Sequence, residues 1–334
     1  MKLTVTAQIF FLASLLPSTA CTAAGEAEAG TSTAVSTLST QAFDSSELTQ
    51  CKNSPLALQV LGSGGPEMTD QRASTSYLVW QNGKAIVLID AGAGSALSFE
   101  RSDARIEELQ AIAFTHLHVD HSVDFVTLVK ASFFTQRDQD LPVFGPTGNN
   151  LLPSIEDFTQ ALSGPKGAWP YLGSFFDSES SAQFHFVPQT VTADEANWQT
   201  INENLRLGAI RTHHGPLPAP AWRIETNEGS VTISGDMSNR RNALQVLGKE
   251  TDLLVAHNAV PEAAGGVLNL HMPPSEIGKI AAVAKPGQLL ITHRMNRTLK
   301  ADSEGATSEQ IRKNYSGPLM FADDMECFKV SKIR

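Results

Sequence analysis

Short apolar runs separated by polar turns recur along the chain from about residue 51 onwards. The runs at 56–61, 76–80 and 84–90 predict three buried strands, and Asn82-Gly83 predicts the hairpin turn between the last two. Further strands are predicted at 109–114, 205–211, 221–225, 230–235, 253–256 and 288–292. Helices are predicted at 95–110, 122–130, 238–248 and 274–284. This interleaving of strands and helices predicts an α/β protein.

The stretch 131–204 lacks a continuous apolar pattern of its own. Six prolines interrupt it, and its segment 164–171 has the Gly/Pro composition of a loop. We therefore expect short helices and a surface lid over the site, rather than a separate domain.

Side chains that can bind a metal are most concentrated at Thr115–His121, where three imidazoles and a carboxylate fall within six residues. A strand before this stretch would hold His116 and His118 on one side, and the turn after it would aim Asp120 and His121 at the same region. Imidazole nitrogen and carboxylate oxygen are ligands that suit Zn²⁺. The HxHxDH spacing therefore predicts a metal site. The alternatives are a polar loop rich in histidine and a single structural zinc site.

Other residues of the metal-binding types stand at or just past the ends of apolar runs. Their recurrence at strand ends predicts a site gathered along one edge of a sheet. Taken singly, each is as well explained by a buried histidine or a helix-capping aspartate. The set is Asp90, His116, His118, His214, Asp236, His257 and His293.

Composition narrows the classes of function. The chain has 334 residues, of which 41% are hydrophobic and 18% charged, so it can bury a sizeable core. A net charge of −10 and a pI of about 5.4 argue against nucleic acid or an anionic membrane as the main partner. The three cysteines show no CxxC spacing, so no thiolate zinc site is predicted.

The N-terminus has the layout of an export signal. Residues 1–20 combine Lys2, an apolar stretch and small residues before Cys21, which predicts a signal peptide. Cys21 also resembles the lipidated cysteine of a bacterial lipobox, although Ser18 replaces the usual leucine; an ordinary secretory peptide is the alternative. Residues 21–50 are mostly small and polar, which predicts a disordered tether. We expect an exported protein, either periplasmic or lipid-anchored at the cell envelope.

The two remaining cysteines flank the predicted folded region. Cys51 precedes the first strand, and Cys327 lies in a run that predicts the last strand. An oxidising compartment would favour a disulfide between them. Two separate thiols are the alternative.

The sequence resembles the metallo-β-lactamase superfamily over essentially all of 51–334. The resemblance rests on the segments 61–66, 88–92, 115–121, 214–216, 234–236 and 292–293. It implies a four-layer αββα sandwich, with a dinuclear site at the edge between two sheets. The expected cofactors are two divalent metal ions, zinc in the first place and Mn²⁺ or Fe²⁺ as alternatives.

The resemblance also implies a set of ligands. His116, His118 and His214 would bind one metal, with His213 as the alternative to His214. The second metal would be bound by Asp120, His121 and His293. Asp236 would bridge the two ions, and Asp90 would support the ligand loop from behind.

The chain looks most like the tRNase Z and arylsulfatase-like branch of the superfamily, and an aspartate at the bridging position disfavours β-lactam hydrolysis. It departs from the tRNase Z pattern at Met237, Asn258 and Met272. The stretch 151–200, where an RNA-binding arm would be expected, has one lysine and six acidic residues. With the predicted export, these features lead us to expect no tRNA or other nucleic acid polymer as partner.

The predicted function is hydrolysis of a small ester, in the first place a phosphodiester, by a hydroxide that the two metals hold. Asp236 and Asp120 belong to the catalytic group, and His257 is the candidate to protonate the leaving oxygen. A buried structural role is the alternative for His257. The candidate substrate-binding residues are His271, Lys166, Trp169 and Tyr171. Arylsulfatase or lactonase activity and a non-catalytic binding protein are the alternative functions.

Overall fold

Two seven-stranded mixed sheets form the frame of the molecule in a computed structural model that describes residues 45–191, 194–263 and 269–333. The predicted signal peptide, most of the predicted tether and Cys21 lie outside the described residues. The first sheet has the order β14-β1-β2-β3-β4-β5-β6, and its strands are β1 Leu56–Gly62, β2 Ser76–Gln81, β3 Lys84–Ile89, β4 Ala111–Ala113, β5 Leu141–Gly145, β6 Phe186–Thr190 and β14 Cys327–Lys329.

The second sheet repeats this plan with the order β13-β12-β11-β10-β9-β8-β7. Its strands are β7 Asn197–Asn202, β8 Leu205–Arg211, β9 Pro220–Thr226, β10 Gly229–Ile233, β11 Leu253–His257, β12 Gln288–Thr292 and β13 Leu319–Phe321. The helices are α1 Ser45–Asn53, α2 Ser95–Arg101, α3 Val119–Ser122, α4 Phe125–Ala131, α5 Ile155–Ser163, α6 Ala243–Leu247, α7 Pro274–Ala284, α8 Asn296–Ala301 and α9 Glu304–Arg312.

Each sheet is antiparallel on one side and parallel on the other. Strands β3 to β6 run parallel in the first sheet, and strands β10 to β13 run parallel in the second. The carboxyl ends of parallel strands lie at one edge of a sheet, so polar residues that follow β3, β4, β10, β11 and β12 can meet there. The predicted site therefore lies at the edge of the sheets where the parallel strands end.

The two sheets face each other across an apolar core. Leu58 and Val79 of the first sheet and Val255 of the second are fully buried in it. Trp222 of β9 is buried in the same core, and its indole Nε1 donates to the backbone oxygen of Phe114 at 2.9 Å. Each such side chain contributes about 1.5–3 kcal/mol through removal from water. The sheets are therefore held face to face close to the loop that begins at Phe114.

Helices cover the outer face of each sheet. A second apolar cluster lies between the first sheet and α2, α4 and α5, and a third lies between the second sheet and α6, α7 and α9. Three apolar layers between four layers of structure confirm the predicted αββα sandwich. Within the described ranges, no helix has both the length and the apolar composition that crossing a membrane requires.

The predicted tether ends earlier than expected, so its boundary at residue 50 is wrong. Helix α1 begins at Ser45, and Leu48 packs against the cluster between the first sheet and its helices. Gln50 Nε2 donates to the backbone oxygen of Cys327 at 2.6 Å. Cys51 is joined to Cys327 by a disulfide with a Cα–Cα distance of 5.7 Å. These contacts fix the start of the folded chain to its last strand.

The prediction of a lid at 131–204 is also wrong. This stretch supplies β5 and β6 to the first sheet and β7 to the second. Its aromatic residues Phe175, Phe184 and Phe186 are buried in the outer cluster of the first sheet. The prolines break the stretch into elements too short to show periodicity, but β5 and β6 still bury apolar side chains.

Candidate metal centre

The loop after β4 carries the His-rich motif, and Asp90 holds it in place. Asp90 follows β3 with a left-handed backbone conformation, φ 57°. Its Oδ1 accepts a hydrogen bond from Thr115 N and its Oδ2 accepts one from Thr115 Oγ1, each at 2.7 Å. Oδ2 also lies 2.8 Å from His121 Nδ1. One buried carboxylate therefore fixes both the start of the loop and the orientation of His121.

Three histidines form a first group of donors, His116, His118 and His214, whose ligand atoms all lie within 4.8 Å of one another. His116 Nε2 and His118 Nδ1 are 3.0 Å apart. His214 Nδ1 donates to the backbone oxygen of Leu270 at 2.9 Å. This bond leaves the buried His214 Nε2 with no hydrogen-bond partner among the described residues, so it is the nitrogen available to a metal.

A second group of donors contains His121, Asp236, His257 and His293. Asp236 lies between its histidines, with Oδ1 3.2 Å from His293 Nε2 and Oδ2 3.8 Å from His121 Nε2. His293 Nδ1 lies 2.6 Å from Thr75 Oγ1 and 3.1 Å from the backbone oxygen of Gly64. Both histidines thus bind protein atoms through Nδ1 and present Nε2 to the centre of the group.

Asp120 lies beside the second group and not inside it. Its Oδ2 is 3.6 Å from His121 Nε2. The backbone of Asp120 is packed tightly, since a Cβ built on Gly92 would lie 2.2 Å from the Asp120 oxygen. Glycine at position 92 is therefore required for the ligand loop to approach the chain after β3.

The buried Nε2 atoms are the observation that fits a metal. His121 and His214 each present a buried Nε2 that, across the part of the chain described, has no hydrogen-bond partner, and the buried Nε2 of His293 faces Asp236 Oδ1 at 3.2 Å without hydrogen-bond geometry. An unpaired buried polar atom costs about 1–3 kcal/mol, so three in one small volume need an explanation. Neutral imidazole nitrogen with a fixed second nitrogen is a usual ligand for divalent zinc. This donor set fits divalent metal ions.

The electrostatics of the site favour a cation. Burial lowers the pKa of His121 to about 4, so the ring is neutral at pH 7 and able to coordinate. Burial would also lower the pKa of His293, but the Asp236 carboxylate outweighs it and raises that pKa to about 9. Burial raises the pKa of Asp236, yet His293 and His257 hold it well below its usual range. Asp236 therefore brings a firm negative charge to the point between the donors.

His257 has no free nitrogen for a substrate. Its Nδ1 lies 2.9 Å from Asp236 Oδ1, and its Nε2 lies 2.8 Å from the hydroxyl of Tyr77. The side chain is 1% exposed. These contacts are those of a residue that orients Asp236, so the geometry does not support our prediction of His257 as the proton donor. Tyr77 was missed because a tyrosine inside an apolar strand gives no sign of a polar role.

His271 is better placed to meet a substrate. Its Nδ1 lies 3.8 Å from Asp236 Oδ2, and its ring centroid is 5.2 Å from that of His214. Its side chain is 11% exposed, so it borders the site from the solvent side. Burial lowers the pKa of His271 to about 4.

The remaining predicted residues separate into two cases. His213 turns away from the donors, with Nδ1 2.8 Å from Ser238 Oγ. Tyr171 lies against Lys130 at the far end of α4, and Trp169 and Lys166 are exposed on the same stretch. In the described ranges none of these last three side chains contacts a donor residue, so their role in substrate binding stays a prediction.

A four-layer sandwich that gathers histidines and aspartates at one edge of its sheets defines a metallo-hydrolase. The profile of the Beta-lactamase superfamily domain matches residues 86–294, and the chain belongs to the beta-lactamase superfamily. It is 24% identical over 291 residues to "Ribonuclease Z" of Mycolicibacterium gilvum (strain PYR-GCK), which covers 82% of this chain and 96% of that protein.

Two solved structures share the fold. The metallo-beta-lactamase fold protein YhfI from Bacillus subtilis superposes with a TM-score of 0.64 at 21% identity, over 82% of this chain and 99% of that one. Human tRNase Z, short form, superposes with a TM-score of 0.62 at 19% identity, over 82% of this chain and 99% of that one. The predicted likeness to the tRNase Z branch is confirmed.

The prediction that excluded tRNA and other nucleic acids is wrong. The chain is similar over most of its length to a protein named ribonuclease Z. Our prediction used the net charge of the whole chain, but that sum does not describe the charge beside the site. It also gave weight to departures from the tRNase Z pattern at Met237, Asn258 and Met272. These are three positions in a chain whose fold resembles that of tRNase Z.

Proposed function

We propose that the protein hydrolyses a phosphodiester bond in a nucleotide-derived substrate, a class that includes RNA ends as well as small diesters. The observation that carries the proposal is the pair of donor groups, in which His121, His214 and His293 present unpartnered Nε2 atoms on either side of Asp236. Similarity to ribonuclease Z supports the choice of ester.

The residues present would hold two divalent ions, for which we propose zinc. His116, His118 and His214 would hold one, and His121, Asp120 and His293 the other, with Asp236 shared. Metal ions so held would supply an activated water and neutralise charge on the ester oxygens. This chain contributes the orientation: Asp90 fixes His121, and the backbone of Leu270 fixes His214.

We propose His271 as the residue that protonates the leaving oxygen. It is the imidazole next to Asp236 whose side chain reaches solvent, whereas both nitrogens of His257 are engaged. An anionic diester beside the ring would favour its protonated form and so oppose the effect of burial on its pKa. A proton could then pass from the ring to the departing oxygen.

The test is metal analysis combined with a panel of substrates. The panel contains bis(p-nitrophenyl) phosphate, p-nitrophenyl sulfate, a lactone and a precursor tRNA. We expect about two metals per chain and turnover of a diester substrate. Preferred turnover of the sulfate or the lactone would support the alternative activities instead, and bound metal without any turnover would support a binding protein.

Two adjacent histidines provide a matched control. His214→Ala should remove one metal and nearly all activity, because His214 belongs to the first donor group. His213→Ala should keep both metals and most activity, since His213 bonds Ser238 instead. Equal losses in the two variants would contradict the assignment of His214.

We also propose that the protein acts outside the cytoplasm. The disulfide between Cys51 and Cys327 supports this, since such bonds persist in oxidising compartments. Cell fractionation with maleimide labelling of the denatured protein is the measurement. Recovery in the cytoplasmic fraction with both thiols free would contradict the proposal.

A further inference from the structure

Three arginines lie beside the metal centre on the side of the second sheet, and no step described above uses them. Arg211 ends β8, three residues before His214. Arg240 and Arg241 follow Asp236 by four and five residues. A chain of three to five residues spans at most about 11–18 Å, which limits how far their backbones lie from the donors.

The arginines are gathered into one cluster. Arg211 Nη2 and Arg241 Nη1 lie 2.7 Å and 3.0 Å from the same oxygen, Asp194 Oδ1. Backbone pairing between His213 and Ser238 joins the two segments that carry these arginines. One carboxylate thus holds two guanidinium groups side by side.

Arg240 connects this cluster to the mouth of the site. Its Nη2 donates to Asn269 Oδ1. Asn269 directly precedes Leu270, whose backbone oxygen accepts from His214, and stands two residues before His271. The guanidinium of Arg240 therefore lies next to the segment that borders the metal centre from the solvent side.

The charge of this region is opposite in sign to that of the whole chain. The protein has a net charge of −10, but two of the three arginines here share one carboxylate, that of Asp194. Arg211 and Arg241 remain 39% and 40% exposed, so solvent and ligands can reach them. Arg240 is paired with a neutral amide, which leaves its charge uncompensated.

We propose that Arg211, Arg240 and Arg241 form a subsite for a second phosphate of the substrate, next to the diester that is cleaved. This inference rests on the proposed function. Guanidinium groups bind phosphate oxygens through paired, charge-assisted hydrogen bonds. Asp194 holds two of them at one carboxylate oxygen before the substrate arrives, which reduces the entropy lost on binding.

The kinetic test uses two substrates that differ by one phosphate. Thymidine 5′-(p-nitrophenyl phosphate) carries only the diester, and its 3′-phosphorylated form adds a second phosphate. The wild-type holoenzyme should show a KM about tenfold lower for the second substrate, a difference of about 1.4 kcal/mol. The triple variant Arg211→Gln, Arg240→Gln, Arg241→Gln should lose this preference with little change in kcat on the first substrate.

Two further variants keep the test decisive. Arg240→Gln alone leaves the ion pairs of Asp194 in place, so it guards against misfolding of the triple variant. Arg206→Gln is the matched control, because Arg206 lies near the other end of β8 and is also ion-paired, with Glu225. It should behave as wild type on both substrates.

A binding measurement separates the two proposals. Fluorescence anisotropy with a labelled single-stranded RNA octamer, over a range of salt concentrations, needs no turnover. The triple variant should reduce the slope of log affinity against log salt by about 0.7, since the neutralisation of one phosphate of a single strand contributes about that much. An unchanged slope and an unchanged KM ratio would overturn the subsite. If neither diester is hydrolysed, the proposed function fails, and the salt slope alone decides on the subsite.

Discussion

The two sheets build their halves of the metal centre in different ways. The first sheet contributes His116, His118, Asp120 and His121 from one continuous loop after β4. The second contributes single residues from three separate places: His214 after β8, Asp236 after β10 and His293 after β12. One half is thus a local structure, and the other exists only when the strands of the second sheet are assembled.

The two halves also differ in the contacts that orient their side chains. In the loop, Asp90 alone bonds both Thr115 and His121. On the second sheet, two histidines are oriented by contacts between sheets: Tyr77 of β2 reaches His257 of β11, and Thr75, before β2, reaches His293 after β12. We therefore expect the two halves to respond differently to substitution.

The largest effect is expected for Asp236→Ala, which removes the carboxylate that both halves share. At least one metal should be lost, and turnover should fall below detection, because His121 and His293 lose the charge between them. Metal content by mass spectrometry and the rate on a diester are the measurements. Asp138→Asn, a change at a distant surface loop, is the control. Full metal content in Asp236→Ala would show that the halves bind metal independently.

A smaller effect is expected for Asp90→Asn, which tests the local half. The amide keeps the shape but removes the charge that faces His121 Nδ1. Residues that orient a metal ligand in this way contribute about 10–100-fold in affinity or activity. Chelator competition should show weaker binding at one metal and little change at the other. Equal weakening at both would mean that the loop is not an independent unit.

Tyr77→Phe tests the contact between the sheets. It removes one hydroxyl, leaves His257 Nε2 without its partner, and frees His257 to change tautomer beside Asp236. We expect about a tenfold loss of metal affinity. The tautomer of His257, read from its ¹⁵N chemical shifts, should change. Tyr315→Phe is the matched control, because that hydroxyl bonds backbone oxygens in another part of the molecule.

The smallest effect on the metal centre is expected when the disulfide is removed. Cys51→Ser with Cys327→Ser should lower the free energy of unfolding by about 2–5 kcal/mol, as loss of a native disulfide does. Metal content at 25 °C should be unchanged, because α1 and β14 lie at the edge of the first sheet. Denaturant titration and metal analysis together provide the measurement. Loss of metal in the folded variant would contradict this separation.

The sequence predicted the local half better than the assembled half. The spacing of residues in Thr115–His121 is enough to predict a metal site. The apolar runs before Asp90, Asp236 and His293 predict the strand ends that carry the other residues. The roles of Tyr77 and His257 depend on which strands face each other across the core, and no local pattern contains that information. A buried tyrosine in an apolar run looks like any other core residue.

Two other errors have physical causes of the same kind. Prolines at 131–204 hid three strands, since a strand of five or six residues needs only its neighbours in the sheet and little periodicity of its own. The exclusion of nucleic acid relied on charge counted over the chain and over 151–200, on departures from the tRNase Z pattern and on the predicted export. Arg211, Arg240 and Arg241 show that a protein with an excess of acid can still gather basic residues beside its site.

The link between Cys51 and Cys327 also determines how the protein responds to force. It encloses nearly the entire fold, with 276 residues of sequence separation, in one covalent ring. Tension applied between the two ends of the folded chain would run from α1 through the sulfur atoms into β14 and would bypass the sheets. A molecule stretched by its ends should therefore extend by only a few residues at either terminus. After reduction, the same tension would act on the pairing of β14 with β1.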